Sequence, residues 1–134
     1  MLQSTSAEEP EESMNKVLLC GLLLASASTA GEKKLMHCFA FTPLKSATQA
    51  DWDAFYKATD DLPKKIKGVT RVWYGKLASP FQADGQERSY GVCMEMTDLA
   101  ARRAYGNDPA HEAWNKFYSK VRDEPTTTFD IVGQ

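Results

Sequence analysis

At 134 residues the chain is sized for one domain, and 43% hydrophobic with 25% charged residues is ordinary globular composition. Sixteen Lys and Arg against 18 Asp and Glu leave a net charge of −2, which gives a nucleic-acid role no footing. The one basic cluster, Lys64, Lys65 and Lys67, has no interleaved aromatics and reads as a solvated turn.

The first 30 residues differ from the rest. Glu8, Glu9, Glu11 and Glu12 precede Met14, after which Asn15 and Lys16 lead into an almost wholly apolar run, residues 17–24, and then into the small residues 25–30. Those three zones are the signature of a secretory signal, with cleavage after Ala30 or Ala27 and translation starting at Met14, since the four glutamates ahead of it contradict a positive leader. The plainer reading is a disordered tail followed by a buried helix or strand. The run is too short to anchor the chain permanently in a bilayer. An exported, periplasmic or extracellular domain over residues 31–134 is therefore expected. Cys38 and Cys93 remain after cleavage, either bridged in an oxidising compartment or as two buried thiols. No Cys-x-x-Cys or His-x-x-x-His pair marks a metal site, and no cofactor or haem motif is present.

Residues 35–42 alternate with period two, which predicts a strand with His37, Phe39 and Phe41 on one face and Cys38 and Ala40 on the other. A turn over residues 43–48 leads to Trp52, Phe55, Thr59 and Leu62 at helical spacing, closed by Pro63. Gly68 then punctuates the chain ahead of a β-branched and aromatic strand, residues 69–74. Residues 78–88 read as a polar loop. The next strand, residues 90–96, sets Tyr90, Val92, Met94 and Met96 on one side and Gly91, Cys93 and Glu95 on the other. Asp98 caps a short helix through Tyr105, and residues 109–121 predict a longer one with Ala110, Trp114, Phe117 and Val121 inward. Pro125 ends it, and residues 126–132 form a last strand.

The order β-α-β-β-α-β predicts an α+β, ferredoxin-like domain whose antiparallel four-stranded sheet has the spatial order four, one, three, two. Helices cover one face. The other, with Cys38, Ala40, Gly91 and Cys93, lies open in a monomer, which points to burial by a second copy and hence to a homodimer.

His111 is the most informative candidate. Asp108 is an N-cap residue and Pro109 suits the first helical position, so His111 falls third, where the free N–H groups and the helix dipole disfavour imidazolium. Tyr105 ends the preceding helix and turns its hydroxyl toward the same place. As a pair, neutral His111 takes a proton alpha to a carbonyl while Tyr105 positions it or donates to the developing oxyanion. The plainer reading is that both side chains satisfy helix-end groups and pack the loop. An apolar wall of Phe39, Phe41, Phe55, Met94, Trp114 and Phe117 accompanies the pair. His37 lines the same space or is a packing residue at the core edge.

Four motifs carry a family resemblance: His37 opening the run His37-Cys38-Phe39-Ala40-Phe41, Lys67-Gly68-Val69 entering the second strand, Asp108-Pro109-Ala110-His111 after Tyr105, and the closing Phe129-Asp130. Over residues 34–132 the chain resembles the stress-responsive dimeric α+β barrel family, often abbreviated Dabb. The resemblance implies two sheets packed face to face into a barrel, with a pocket in each subunit between sheet and helices. In a plant cyclase of the family, a tyrosine and a histidine separated as Tyr105 and His111 are here close a polyketide chain without a cofactor. Asp108 stands where the family often has histidine, and Thr42 where it often has lysine. The two expected functions are a stress-associated module binding a small apolar ligand and a cofactor-independent cyclase or lyase acting on a keto compound.

Overall fold

The computed structural model describes residues 33–134. The apolar run, the cleavage positions at Ala27 and Ala30 and the start at Met14 lie outside the described residues. Strand β1 (Leu35–Pro43) leads through a turn into helix α1 (Gln49–Asp60) and the single-turn helix α2 (Leu62–Lys65). Strands β2 (Val69–Ala83) and β3 (Gln86–Met96) follow, then helices α3 (Leu99–Tyr105) and α4 (Pro109–Tyr118), then strand β4 (Arg122–Val132). The sheet runs β2-β3-β1-β4 with every neighbouring pair antiparallel, which is the predicted order.

Local chemistry sets the helix starts. Thr48 accepts from the Asp51 amide while the Asp51 carboxylate accepts from the Thr48 amide, a reciprocal cap on α1. Asp98 takes the Ala101 amide at 2.7 Å and Asp108 the Ala110 amide at 2.8 Å, with Pro109 in the first turn of α4. Each such cap contributes about 1 kcal/mol. At Gly68, φ is 92° and any side chain would meet Ala101 Cβ at 2.5 Å, so glycine alone lets α3 pack beside the entry to β2.

The core lies between α1, α4 and the face of the sheet that carries Phe39, Phe41, Val92 and Met94. Phe55 packs edge-on against Phe41 at 6.2 Å. Trp114 donates its indole N–H to Thr59 Oγ1 at 3.0 Å, and Thr59 donates its own O–H to the Phe55 carbonyl at 2.7 Å, so this pair of polar side chains is satisfied within the core.

Several boundaries differ from expectation. Residues 78–88 are not a loop: β2 and β3 continue as a hairpin through Asp84 and Gly85, whose φ values of 53° and 71° suit a type I′ turn. The arm projects past the helices with both sides largely exposed, so its strands carry no apolar alternation. At its base Arg88 is fully buried, donating to Thr127, Thr42, Gln86 and Asp84. Helix α4 ends at Tyr118, and Pro125 lies within edge strand β4, where a missing N–H is tolerated. Phe117 does not point inward. Trp114 and Tyr118, four residues apart, take the core side of α4 and leave Phe117 on the flank, 41% exposed.

Cys38 and Cys93 stand opposite one another across β1 and β3 and form a disulfide. On this second face Cys38 and Ala40 are buried, not open as expected, because bulkier neighbours shade them. Leu77 from the hairpin folds onto Gly91, where a Cβ would come within 3.0 Å of it. The exposure falls instead on Trp73, Phe129 and Ile131.

Candidate functional site

Tyr105 closes α3, and His111 is the third residue of α4 after the Asp108 cap. The short turn between the helices brings the two rings to a centroid separation of 4.2 Å. His37, near the start of β1, lies 5.5 Å from the Tyr105 ring and 5.7 Å from Phe39, and Trp114 lies 6.0 Å from His111. The structure thus brings His37, Phe39, Tyr105, His111 and Trp114 together. Phe41 and Phe55 pack in the adjoining core, Met94 sits opposite His37 in the β1–β3 register, and Phe117 stands apart on the flank of α4.

The Tyr105 hydroxyl is buried and has no hydrogen-bond partner. A polar group left so costs about 1–3 kcal/mol. Burial pushes its pKa well above the usual tyrosine value, against a smaller opposing pull from Arg102, so it stays a protonated donor at any physiological pH.

Two groups complete the cluster, Asp130 of the closing Phe129-Asp130 motif and Arg102, neither of which had a site role in the sequence. Asp130 on β4 is paired with His37 in the β1–β4 register, and its Oδ1 lies 2.6 Å from His37 Nδ1. Arg102 on α3 donates its Nε–H to both Asp130 oxygens at 3.1 Å. Burial pushes the Asp130 carboxyl up, but the hydrogen bonds from His37 and Arg102 prevail and hold it below the usual carboxylate range. An ionised Asp130 can only accept, so neutral His37 carries its proton on Nδ1 and leaves Nε2 as the free lone pair on the opposite side of the ring.

Both imidazoles favour the neutral form. Burial lowers the His37 pKa, with the Asp130 hydrogen bond opposing and the Arg102 charge adding to the drop. His111 is lowered by burial too, against a hydrogen bond to the Gly106 backbone. Arg102 also stands 6.0 Å over the Tyr105 ring, so one guanidinium biases Asp130, both histidines and the tyrosine. Periodicity puts Arg102 on a polar helix surface, and only the fold shows what it meets.

Open space lies elsewhere. A cavity of about 400 Å³ sits on the second sheet face between Cys38, Ala40, Trp73, Leu77, Gly91 and Phe129. Others of about 220 and 180 Å³ flank Met36 and Glu95, and one of about 50 Å³ lies beside Phe117. Tyr105 and His111 line none of these four. Among the described residues no three His, Cys, Asp or Glu side chains converge as a metal would require, and no helix is long and apolar enough to cross a membrane.

No curated protein matches the sequence. Several solved structures share the fold. A Dabb family protein with a ferredoxin-like fold from Mesorhizobium loti is 24% identical, over 77% of this chain and 99% of its own, with a TM-score of 0.59. A dimeric ferredoxin-like protein from Thermobifida fusca is 17% identical, over 75% of this chain and 92% of its own, TM-score 0.59. A hydroxynitrile lyase from Passiflora edulis is 13% identical, over 76% of this chain and 94% of its own, TM-score 0.62. At these identities the likeness is one of fold. Residues 35–132 match the stress responsive A/B barrel domain, Dabb, and the chain belongs to that family.

Proposed function

We propose that the domain is a homodimeric α+β barrel that binds a small, largely apolar molecule between sheet and helices, anchored by a carbonyl or hydroxyl group at Tyr105, His111 and His37. The observation that carries this reading is the buried Tyr105 hydroxyl, unpartnered beside two burial-neutralised imidazoles. A ligand oxygen accepting from Tyr105 regains the hydrogen bond the folded chain forgoes. The aromatic rings of Phe39 and Trp114 supply the apolar side of such a site. Pairing through the second face is supported by exposed Trp73, Phe129 and Ile131, and by the dimeric Thermobifida fusca neighbour. Thermal-shift screening of small aromatic ketones and phenols against wild type, Tyr105→Phe and His111→Ala tests the site. Ligands that stabilise wild type and lose that effect in both variants support it; equal shifts in all three overturn it.

The second reading is a cofactor-independent cyclase or lyase acting on a keto or polyketide-like substrate. It is favoured by the fixed tautomer of His37, because an imidazole held by a carboxylate that is itself held by Arg102 is a pre-oriented base. Neutral His111 or His37 Nε2 removes a proton alpha to a carbonyl, and Tyr105 donates to the oxyanion that forms. The Passiflora edulis neighbour is a lyase by name, on the same fold. Deuterium exchange alpha to the carbonyl of a bound ketone, followed by NMR, tests it: exchange must depend on both His111 and Tyr105, and equal exchange in the variants removes the reaction.

Export of residues 31–134 is part of the same proposal. The Cys38–Cys93 bridge suits an oxidising compartment. Mass spectrometry of protein from its native host is expected to find an N-terminus near Gly31, and an intact Met1 or Met14 on the mature species overturns it.

A further inference from the structure

A guanidinium presents five N–H groups in one plane, enough to hold two carboxylates at once. Asp130 takes only the Nε edge of Arg102, both of its oxygens lying 3.1 Å from that one nitrogen. Among the described residues neither Nη nitrogen of Arg102 has a hydrogen-bond partner. The outer edge of the fork is therefore free.

That edge belongs to the site. Arg102 and Tyr105 are three residues apart on α3 and share one helix face, with the guanidinium carbon 6.0 Å from the centre of the Tyr105 ring. The Arg102 side chain is 26% exposed and meets solvent, whereas the Tyr105 hydroxyl is buried and unpartnered. Among the described residues Arg102 is also the one cation whose charge bears on His37, Tyr105 and His111 together.

We propose that the free edge of Arg102 receives a carboxylate, so that the molecule held at Tyr105 is a keto or hydroxy acid. Its carbonyl or hydroxyl oxygen accepts from the Tyr105 hydroxyl, and its carboxylate lies against the two Nη groups. The inference rests on the ligand-binding reading for the oxygen, though not for the carboxylate. Shape and charge select the group. The planar Nη pair matches the two oxygens of a carboxylate. Asp130 already sets one negative charge on the other edge, so a monoanion is favoured over a doubly charged phosphate, whose second charge finds no further cation here. The order of burial sets the orientation: the oxygen lies inside, and the carboxylate outside, where water still reaches it and the cost of desolvating a charge stays low.

Three probes with one aromatic ring each test this. Phenylpyruvate carries both groups, phenylacetone the carbonyl alone and phenylacetate the carboxylate alone. Dissociation constants come from the dependence of melting temperature on probe concentration, for wild type, Tyr105→Phe and Arg102→Gln, whose amide can still donate to Asp130. Phenylpyruvate should bind wild type about tenfold more tightly than phenylacetone, the return of one charge-assisted pair. Arg102→Gln should remove that preference and abolish phenylacetate binding while leaving phenylacetone binding as it was. Tyr105→Phe should weaken phenylpyruvate and phenylacetone together. Equal binding of phenylpyruvate and phenylacetone by wild type overturns the proposal. So does an Arg102→Gln chain in which all three probes weaken alike, the mark of a guanidinium that only holds Asp130 and His37 in place. If phenylacetone gives no shift while phenylacetate gives one that depends on Arg102, the carboxylate site stands and the Tyr105 reading fails by itself. No shift from any of the three overturns both.

Discussion

The two ends of β1 each bury a polar cluster, and the clusters differ in how fully the central side chain is paired. At the far end Arg88 is fully buried, yet its donors are taken up by Thr127 at 3.2 Å, Thr42 at 3.1 Å, Gln86 at 3.0 Å and Asp84 at 2.7 Å. At the near end His37, Asp130 and Arg102 satisfy one another, but Tyr105 beside them keeps a hydroxyl with no partner. A satisfied network fixes shape. A network with one polar group left over has stability to regain from something that arrives later. The Arg88 guanidinium therefore pins the hairpin arm to β1 and β4, with the buried Tyr118 hydroxyl and Arg122 Nε nearby left without a partner, while at the other end the Tyr105 hydroxyl is the unpaired group that the proposed ligand would engage.

The largest expected effect comes from dismantling the satisfied end. Arg88→Met removes the donor to Thr42 Oγ1, Thr127 Oγ1 and Gln86 Oε1 and leaves Asp84 without its cation, and should destabilise the fold by about 3 kcal/mol. The measurement is the urea midpoint at fixed protein concentration. A loss below about 1 kcal/mol would mean that water replaces the guanidinium without cost, and the contrast between the two ends would fail. Asp84→Asn, which removes only the exposed end of the same ion pair, should cost less than Arg88→Met.

A smaller effect separates the ends by pH. His37 and His111 both have folded pKa values below the ordinary imidazole value of 6.5, so on acidification the unfolded chain takes up protons first. Stability is then full above 6.5 and declines as pH falls below it, until the folded histidines protonate in turn. His37→Gln and His111→Gln should each flatten that slope. Asp130→Asn should steepen it, because the interactions with Asp130 are what hold the His37 pKa up. The same substitution should remove an acid-side loss, since the depressed Asp130 carboxyl adds stability present above its unfolded value of 3.8 and lost as pH falls through its lower folded one.

How much of this was legible follows from how local each feature is. Strand order, the caps at Asp98 and Asp108 and the place of His111 could be read because alternation and capping act over a few residues. The hairpin arm could not, since its largely exposed strands mix polar and apolar residues without a period and only Asp84-Gly85 signals the turn. Phe117 and Tyr118 compete for one helix face, and composition favours the wrong one. Asp130 meets His37 across 93 residues, a contact that exists only once β1 and β4 are in register, and the choice between bridged and free cysteines waited on the β1–β3 register in the same way. The site was thus half visible: the pair at the helix junction was local, while the carboxylate and guanidinium that orient His37 were not.

The smallest expected change is also the one with the opposite sign. Tyr105→Phe keeps the ring against His111 and removes only the hydroxyl, which in the unliganded chain has nothing to bond. Its loss therefore relieves a desolvation cost, and stability should stay equal or rise by up to about 1 kcal/mol. The same variant should lose the thermal shift produced by any ketone or phenol that stabilises wild type, because the donor that holds the ligand oxygen is gone. A packing tyrosine whose hydroxyl finds water in solution behaves otherwise: it loses stability on substitution and binds no ligand to begin with. The two measurements together, one on the empty chain and one on the loaded chain, separate a group retained for binding from one retained for folding.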